Sequence, residues 1–113
     1  MANEDETRNA KAEFIEEVKG KLVLCADIAH YLDGASRNVK NILLPRDYTP
    51  AEYDAFLQSL DFVYDAGFGA QELYGIIWYT DGTWSTRYEY DGSEEWRQRR
   101  VPVIPEYLKK PTQ

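Results

Sequence analysis

Between Thr49 and Leu60 the chain reads TPAEYDAFLQSL, and Tyr53, Phe56, Leu57 and Leu60 fall at i, i+3, i+4 and i+7, the spacing of one helix face. Thr49 is an N-cap residue, Pro50 sits at the first helical position, and Glu52 can close a capping box back to Thr49. A helix over 49–60 is therefore expected, ended by Asp61, with FVYD beginning a strand. TRNAKAEFIEEVK, residues 7–19, predicts another helix. Ala10, Phe14, Ile15 and Val18 share one face there, with Glu13, Glu16 and Glu17 outside it. Gly20 is a plausible C-terminal stop.

The remaining segments alternate rather than repeat every three or four residues. In KLVLCADIAHYLDG, Leu22, Leu24, Ala26 and Ile28 alternate as in a strand, while Ala26, Ala29 and Leu32 could also lie along a helix. The reading is a strand over 21–26, then a turn or a short helix, with a break at Asp33-Gly34. VKNILL, residues 39–44, reads as a strand ended by Pro45. ELYGIIWYT, TWSTRYEY and SEEWRQRRVPV follow, separated by Asp81-Gly82 and Asp91-Gly92. Asp-Gly between alternating apolar residues is a strong hairpin signal, because both central residues of a type I′ turn need positive φ. The pattern predicts a three-stranded antiparallel meander.

The meander's faces depend on its turns. A two-residue first turn pairs Tyr79 with Trp84 and puts Leu73, Ile77, Trp84 and Tyr88 on one face, the expected core. Tyr74, Ile76, Trp78, Arg87 and Glu89 then lie on the other. For the third strand, a two-residue turn opposes Trp96 to Arg87 as a cation–π pair, and a three-residue loop opposes it to Tyr88. A slip of one residue moves every side chain across the sheet, so both remain open. The fold class is α+β: an antiparallel sheet, including the C-terminal meander, packed by two amphipathic helices. One domain is expected over 7–105, with flexible tails at 1–6 and 106–113.

Charge changes the picture. The net charge of the 113 residues is −7, and it is unevenly placed. Residues 1–46 are nearly balanced, 47–95 hold eleven acids against one base, Arg87, and 96–110 reverse sign to +4. So acidic a chain repels a phosphate backbone over most of its surface, which disfavours duplex DNA and favours a basic partner. No apolar run reaches the roughly 20 residues of a membrane helix. The N-terminus lacks the basic flank and apolar stretch of a secretory signal, so a cytoplasmic location is expected.

Little in the chain suggests catalysis or a cofactor. Cys25 is alone and reads as a buried, inert thiol. A Cys25–His30 pair could in principle be nucleophilic, but side chains at that spacing need not meet, and His30 reads as a structural or surface residue. AGFGAQ, residues 66–71, lacks the third glycine of a dinucleotide-binding loop. No zinc or calcium pattern appears, and the turn acids read as solvated. The acids and aromatics of the meander instead suggest a contact surface, with Tyr74, Trp78, Asp81, Glu89, Asp91, Glu94 and Glu95 as its candidates. WRQRR is the alternative site: Trp96 could stack a base while Arg97, Arg99 and Arg100 clamp phosphates. Otherwise these arginines neutralise neighbouring acids.

At LDFVYDAGFGAQELYGIIWYTDGTWSTRYEYDGSEEW, residues 60–96, the chain resembles small uncharacterised bacteriophage proteins with an LDF-YD-G-G-QEL-G-IW-DGTW-R-EYDGSEW run. The likeness covers about a third of the chain and carries no catalytic or binding residue with it. It implies a phage-encoded accessory protein acting in a bacterial cytoplasm. The expected function is non-enzymatic: a counter-defence inhibitor of a host nucleic-acid-handling protein, of the anti-CRISPR or anti-restriction type, acting as an acidic nucleic-acid mimic. A nucleotide or single-strand binder and an oligomeric phage assembly protein are the alternatives, the last held by edge strands of the sheet.

Overall fold

A computed structural model describes residues 7–32, 38–67 and 70–110. The expected N-terminal tail, the Asp33-Gly34 break, part of the 66–71 loop and the last three residues lie outside the described residues.

The helix with the strongest local signals forms as expected, as α2 (Pro50–Ser59). Both halves of its capping box are made: Thr49 N–H donates to Glu52 Oε1 at 2.8 Å, and Glu52 N–H to Thr49 Oγ1 at 3.1 Å. The N-terminal helix is shorter than its periodicity suggests. Asn9 caps α1 (Ala10–Glu17), accepting the Ala12 N–H at 2.9 Å. The preceding residues form β1 (Thr7–Asn9), paired antiparallel with β4 (Val63–Asp65). Backbone pairing with a strand more than fifty residues away therefore outcompetes an extra helical turn. Ala10 and Phe14 face the core as expected, but Ile15 is exposed. The two helices meet where Phe14 packs edge-on to Phe56, ring centroids 5.1 Å apart.

The main sheet is antiparallel throughout and runs β3-β2-β5-β6-β7. Its members are β2 (Val23–Tyr31), β3 (Val39–Leu44), β5 (Leu73–Tyr79), β6 (Trp84–Tyr90) and β7 (Ser93–Arg99). The α+β class and the C-terminal meander are thus present. Residue 26 does not end β2, and no short helix follows it. Flanked by β3 and β5, β2 continues to Tyr31 because both neighbours satisfy its backbone. A bulge between Val23 and Cys25 shifts its phase, so that Val23 is buried while Leu22 is 75% exposed.

The two Asp-Gly turns differ. Tyr90 pairs with Ser93 across Asp91 and Gly92, both at positive φ (53° and 87°), a two-residue type I′ turn. At the first turn, Tyr79 N–H donates to Thr83 O and Gly82 N–H to Tyr79 O, with Gly82 at φ 87°. This is a three-residue loop closed by a bulge. The first hairpin consequently pairs Trp78 with Trp84 rather than Tyr79 with Trp84. That single step overturns the expected core face: Leu73 and Ile77 are buried, but Trp84 and Tyr88 lie on the opposite side. Ser85, Arg87 and Trp96 take their places facing the helices.

The core lies between the sheet's inner face and the helices, with Ile28, Ile42, Leu44, Leu73 and Ile77 meeting Phe14, Phe56 and Leu60. The last strand ends at Arg99; residues 100–110 are all exposed, with one 3-10 turn at Glu106–Leu108. Among the described residues no helix is long and apolar enough to cross a membrane.

Candidate functional site: the open face of the sheet

The inner side of the meander is polar, but its polar groups are turned on one another. Arg87 and Glu94 have side chains only 1% exposed, and Arg87 Nη2 donates to Glu94 Oε1 at 2.9 Å. Glu94 also accepts the backbone N–H groups of Glu72 (2.9 Å) and Leu73 (3.1 Å), clamping β7 to the start of β5. Charge-assisted bonds of this kind are what let a carboxylate remain buried. Glu94 was expected near a contact surface; it is instead an internal fastener. The Arg87 guanidinium lies between the rings of Tyr64 and Trp96, at 5.6 and 5.1 Å. The two-residue second turn thus produces the Arg87–Trp96 cation–π pair.

Tyr64 hydroxyl accepts from Arg87 Nη2 at 2.7 Å and donates to Glu13 Oε1, linking the sheet to α1. Burial foremost, opposed by the Arg87 charge and helped by Glu13, pushes this phenol above its ordinary range. A second link runs from Tyr79 hydroxyl to Ser85 Oγ (2.7 Å) and on to Glu17 Oε2 (2.7 Å). His30 is also buried and internal: its ring stacks on Phe62 at 4.1 Å, and Nε2 lies 3.4 Å from Glu72 Oε1. Cys25 is half-buried, not buried, and lies on the opposite side of β2 from His30, so the two cannot act together.

The outer face differs in kind. The strand register sets its side chains in cross-strand rows: Cys25, Trp78, Trp84 and Arg99; Leu43, Asp27, Ile76, Thr86 and Arg97; Asn41, Ala29 and Tyr74, with Tyr88 beside Glu95. None of these side chains is buried. Tyr74 and Trp78, expected at a contact surface, are 42% and 38% exposed. Tyr31 packs on Tyr74 at 4.9 Å, and Arg97 lies 3.7 Å over the Tyr88 ring. The aromatic run is therefore split: Tyr79 and Trp96 serve the core, while Tyr74, Trp78, Trp84, Tyr88 and Tyr90 form an open surface.

The candidate acids stand at the margins of this surface. Glu89 and Asp91 are exposed at the β6–β7 turn, and Glu95 is half-exposed, paired with Arg97 at 2.7 Å. Asp81 is exposed at the other end, bonded by Lys21 Nζ at 2.8 Å and by Thr83 N–H at 2.9 Å. The Lys21 bond foremost, with those of Thr83, holds its carboxyl well below the usual carboxylate range. The alternative WRQRR site does not assemble as expected. Trp96 faces inward, opposite to Arg97 and Arg99, because neighbours on a strand alternate. Arg99 and Arg100 instead line a cavity of about 340 Å³ with Lys21, Thr83 and Gln98. Lys21 was missed as a member because its partners lie some sixty residues away.

The chain matches no protein-family model, no curated protein and no solved structure.

Proposed function

We propose that this is a non-enzymatic binding protein whose contact surface is the outer face of the main sheet. The observation that carries this reading is that five strands present a face rich in tyrosine and tryptophan on which no side chain is buried. Such anchors lose little conformational entropy on binding and bury large areas. The partner is a host nucleic-acid-handling protein with a basic surface, and the protein is a phage accessory or counter-defence inhibitor. Arg87, the one base in 47–95, has its side chain buried against Glu94, so the charges this segment offers to solvent are negative. Glu89, Asp91, Glu95 and Asp81 rim the aromatic centre and act as the acidic mimic, steering a basic channel onto it.

Charge reversal at Glu89, Asp91 and Glu95, leaving Glu94 intact, tests the reading. The protein is immobilised, nuclease-treated bacterial lysate is passed over it, and the retained protein is purified and titrated. Affinity should fall at least about tenfold in the variant and in high salt, with the thermal midpoint unchanged. Equal affinity in a folded variant would refute the acidic rim.

The cavity of Lys21, Arg99 and Arg100 favours a second reading, a small phosphate-bearing ligand. Nucleotide titration separates the two: an acidic inhibitor ignores nucleotides, whereas a sequestering protein binds them and loses them on Arg99→Ala with Arg100→Ala.

A further inference from the structure

Beyond Arg99 the chain leaves the sheet as RVPVIPEYLKK, residues 100–110, and carries a dense run of exposed apolar side chains. Val101 is 70% exposed, Val103 79%, Ile104 58%, Tyr107 84% and Leu108 66%. Single exposed apolar residues are ordinary; five within eight residues mark an interaction segment. The molecule is elongated, with a radius of gyration of 16.9 Å and extents of 63 × 37 × 27 Å. A compact domain of this length has a radius of about 13 Å. Val101 and Ile104 each precede a proline, which disfavours helical backbone at both. Pro105 itself has φ −64° and ψ 153°, the polyproline II conformation.

We propose that the C-terminal arm of one copy lies on the outer sheet face of a second copy, and that two copies exchange arms to form a dimer. The inference rests on the reading of the outer face as a contact surface, but names a different occupant. Pro102-Val103-Ile104-Pro105 has the spacing that aromatic-lined surfaces recognise, because a ligand already in polyproline II loses little entropy on docking. The outer face supplies the Tyr31–Tyr74 pair, Trp78 and a depression of about 280 Å³ lined by Asp27, Ala29, Tyr74, Gly75 and Ile76. Charge sets the polarity: the arm, residues 100–110, carries +2 (Arg100, Lys109 and Lys110 against Glu106) and residues 47–95 carry −10, so the arm is attracted to the body of another copy. Reciprocal exchange is isologous and closes at two copies.

The test is sedimentation velocity on the full chain from about micromolar to hundreds of micromolar. The native protein should dimerise. An arm variant, Val103→Asp with Ile104→Asp, and a face variant, Tyr74→Ser with Trp78→Ser, should each weaken dimerisation roughly tenfold or more. Mixing them should partly restore a dimer, since one copy retains a face and the other an arm. A native protein monomeric throughout, or a dimer that survives in the arm variant, overturns the proposal. A synthetic peptide of residues 100–110 guards against a misfolded face variant: it should change the tryptophan fluorescence of the arm variant, and silence overturns the proposal. The arm variant keeps the whole acidic rim, so it should still bind the basic host protein. Loss of the dimer and loss of host binding are thereby read separately.

Discussion

The two faces of the meander are made from the same three strands and the same residue types, yet they solve opposite problems. Inside, Arg87 bonds to Glu94 and Tyr64, and Tyr64 and Ser85 bond to α1, while Arg87 Nε and Nη1 have no hydrogen-bond partner among the described residues. Outside, Tyr74, Trp78 and Tyr90 are exposed aromatic groups and Trp84 is half-buried. The usual expectation of apolar residues within and charges without is reversed for several of these positions. Burying a charge is tolerable where its partner is fixed across a sheet, as Arg87 and Glu94 are. Leaving aromatics in water is retained where another surface will cover them.

The comparison can be broken most sharply at Arg87. Arg87→Met strands Glu94 as a buried carboxylate, and the loss should be about 3–5 kcal/mol by urea unfolding. Adding Glu94→Gln should return part of it; a single-variant loss below about 1 kcal/mol would mean the pair is solvated after all. Gly75→Ala comes next, because a Cβ there would lie 2.7 Å from the Asp27 carbonyl oxygen and 3.0 Å from Ile28 Cα. Two central strands would have to part, at about 1–3 kcal/mol. A neutral outcome would show that β2 and β5 yield easily.

On the outer face, Tyr74→Ser with Trp78→Ser should change stability by only about 1 kcal/mol while disabling binding. A loss above about 3 kcal/mol would make these residues structural and erase the contrast between the faces. The smallest effect concerns Asp81. Its folded carboxyl is held below the ordinary value of 3.8, so its contribution is present above that value and fades as pH falls toward the lower folded one. The gap in thermal midpoint between the native chain and Asp81→Asn should therefore close as pH drops from about 6 to about 2. A constant gap would show that the Lys21 and Thr83 bonds do not depend on the charge.

Much of the secondary structure is legible in the chain, and the reason is local. Thr49, Pro50 and Glu52 lie within one helical turn of each other, so the capping box needs no distant partner. Residues 39–44 and both Asp-Gly turns are similarly marked. The proposed contact surface is only half legible. Tyr74 and Trp78 are on it as the alternation suggests, with Asp91 at its margin, but Glu89 is exposed on the helix side opposite Glu94, and Glu94 and Trp96 are internal. Their placement follows from what each turn does. Asp91-Gly92 closes in two residues and Asp81-Gly82 sits in a loop of three, although the dipeptide is the same.

The sequence by itself therefore determined the α2 cap, the positions of the hairpins, the acidic middle and the basic arm. All are set by neighbours within a few residues or by composition. Only the tertiary structure decided the register of β5 against β6, the length of β2, the pairing of β1 with β4, and the face each aromatic occupies. The pairings of β1 with β4 and of β2 with β5 join residues more than forty positions apart, and between β5 and β6, where partners are close in sequence, a one-residue slip at the turn inverts a strand and burial against the helices breaks the tie.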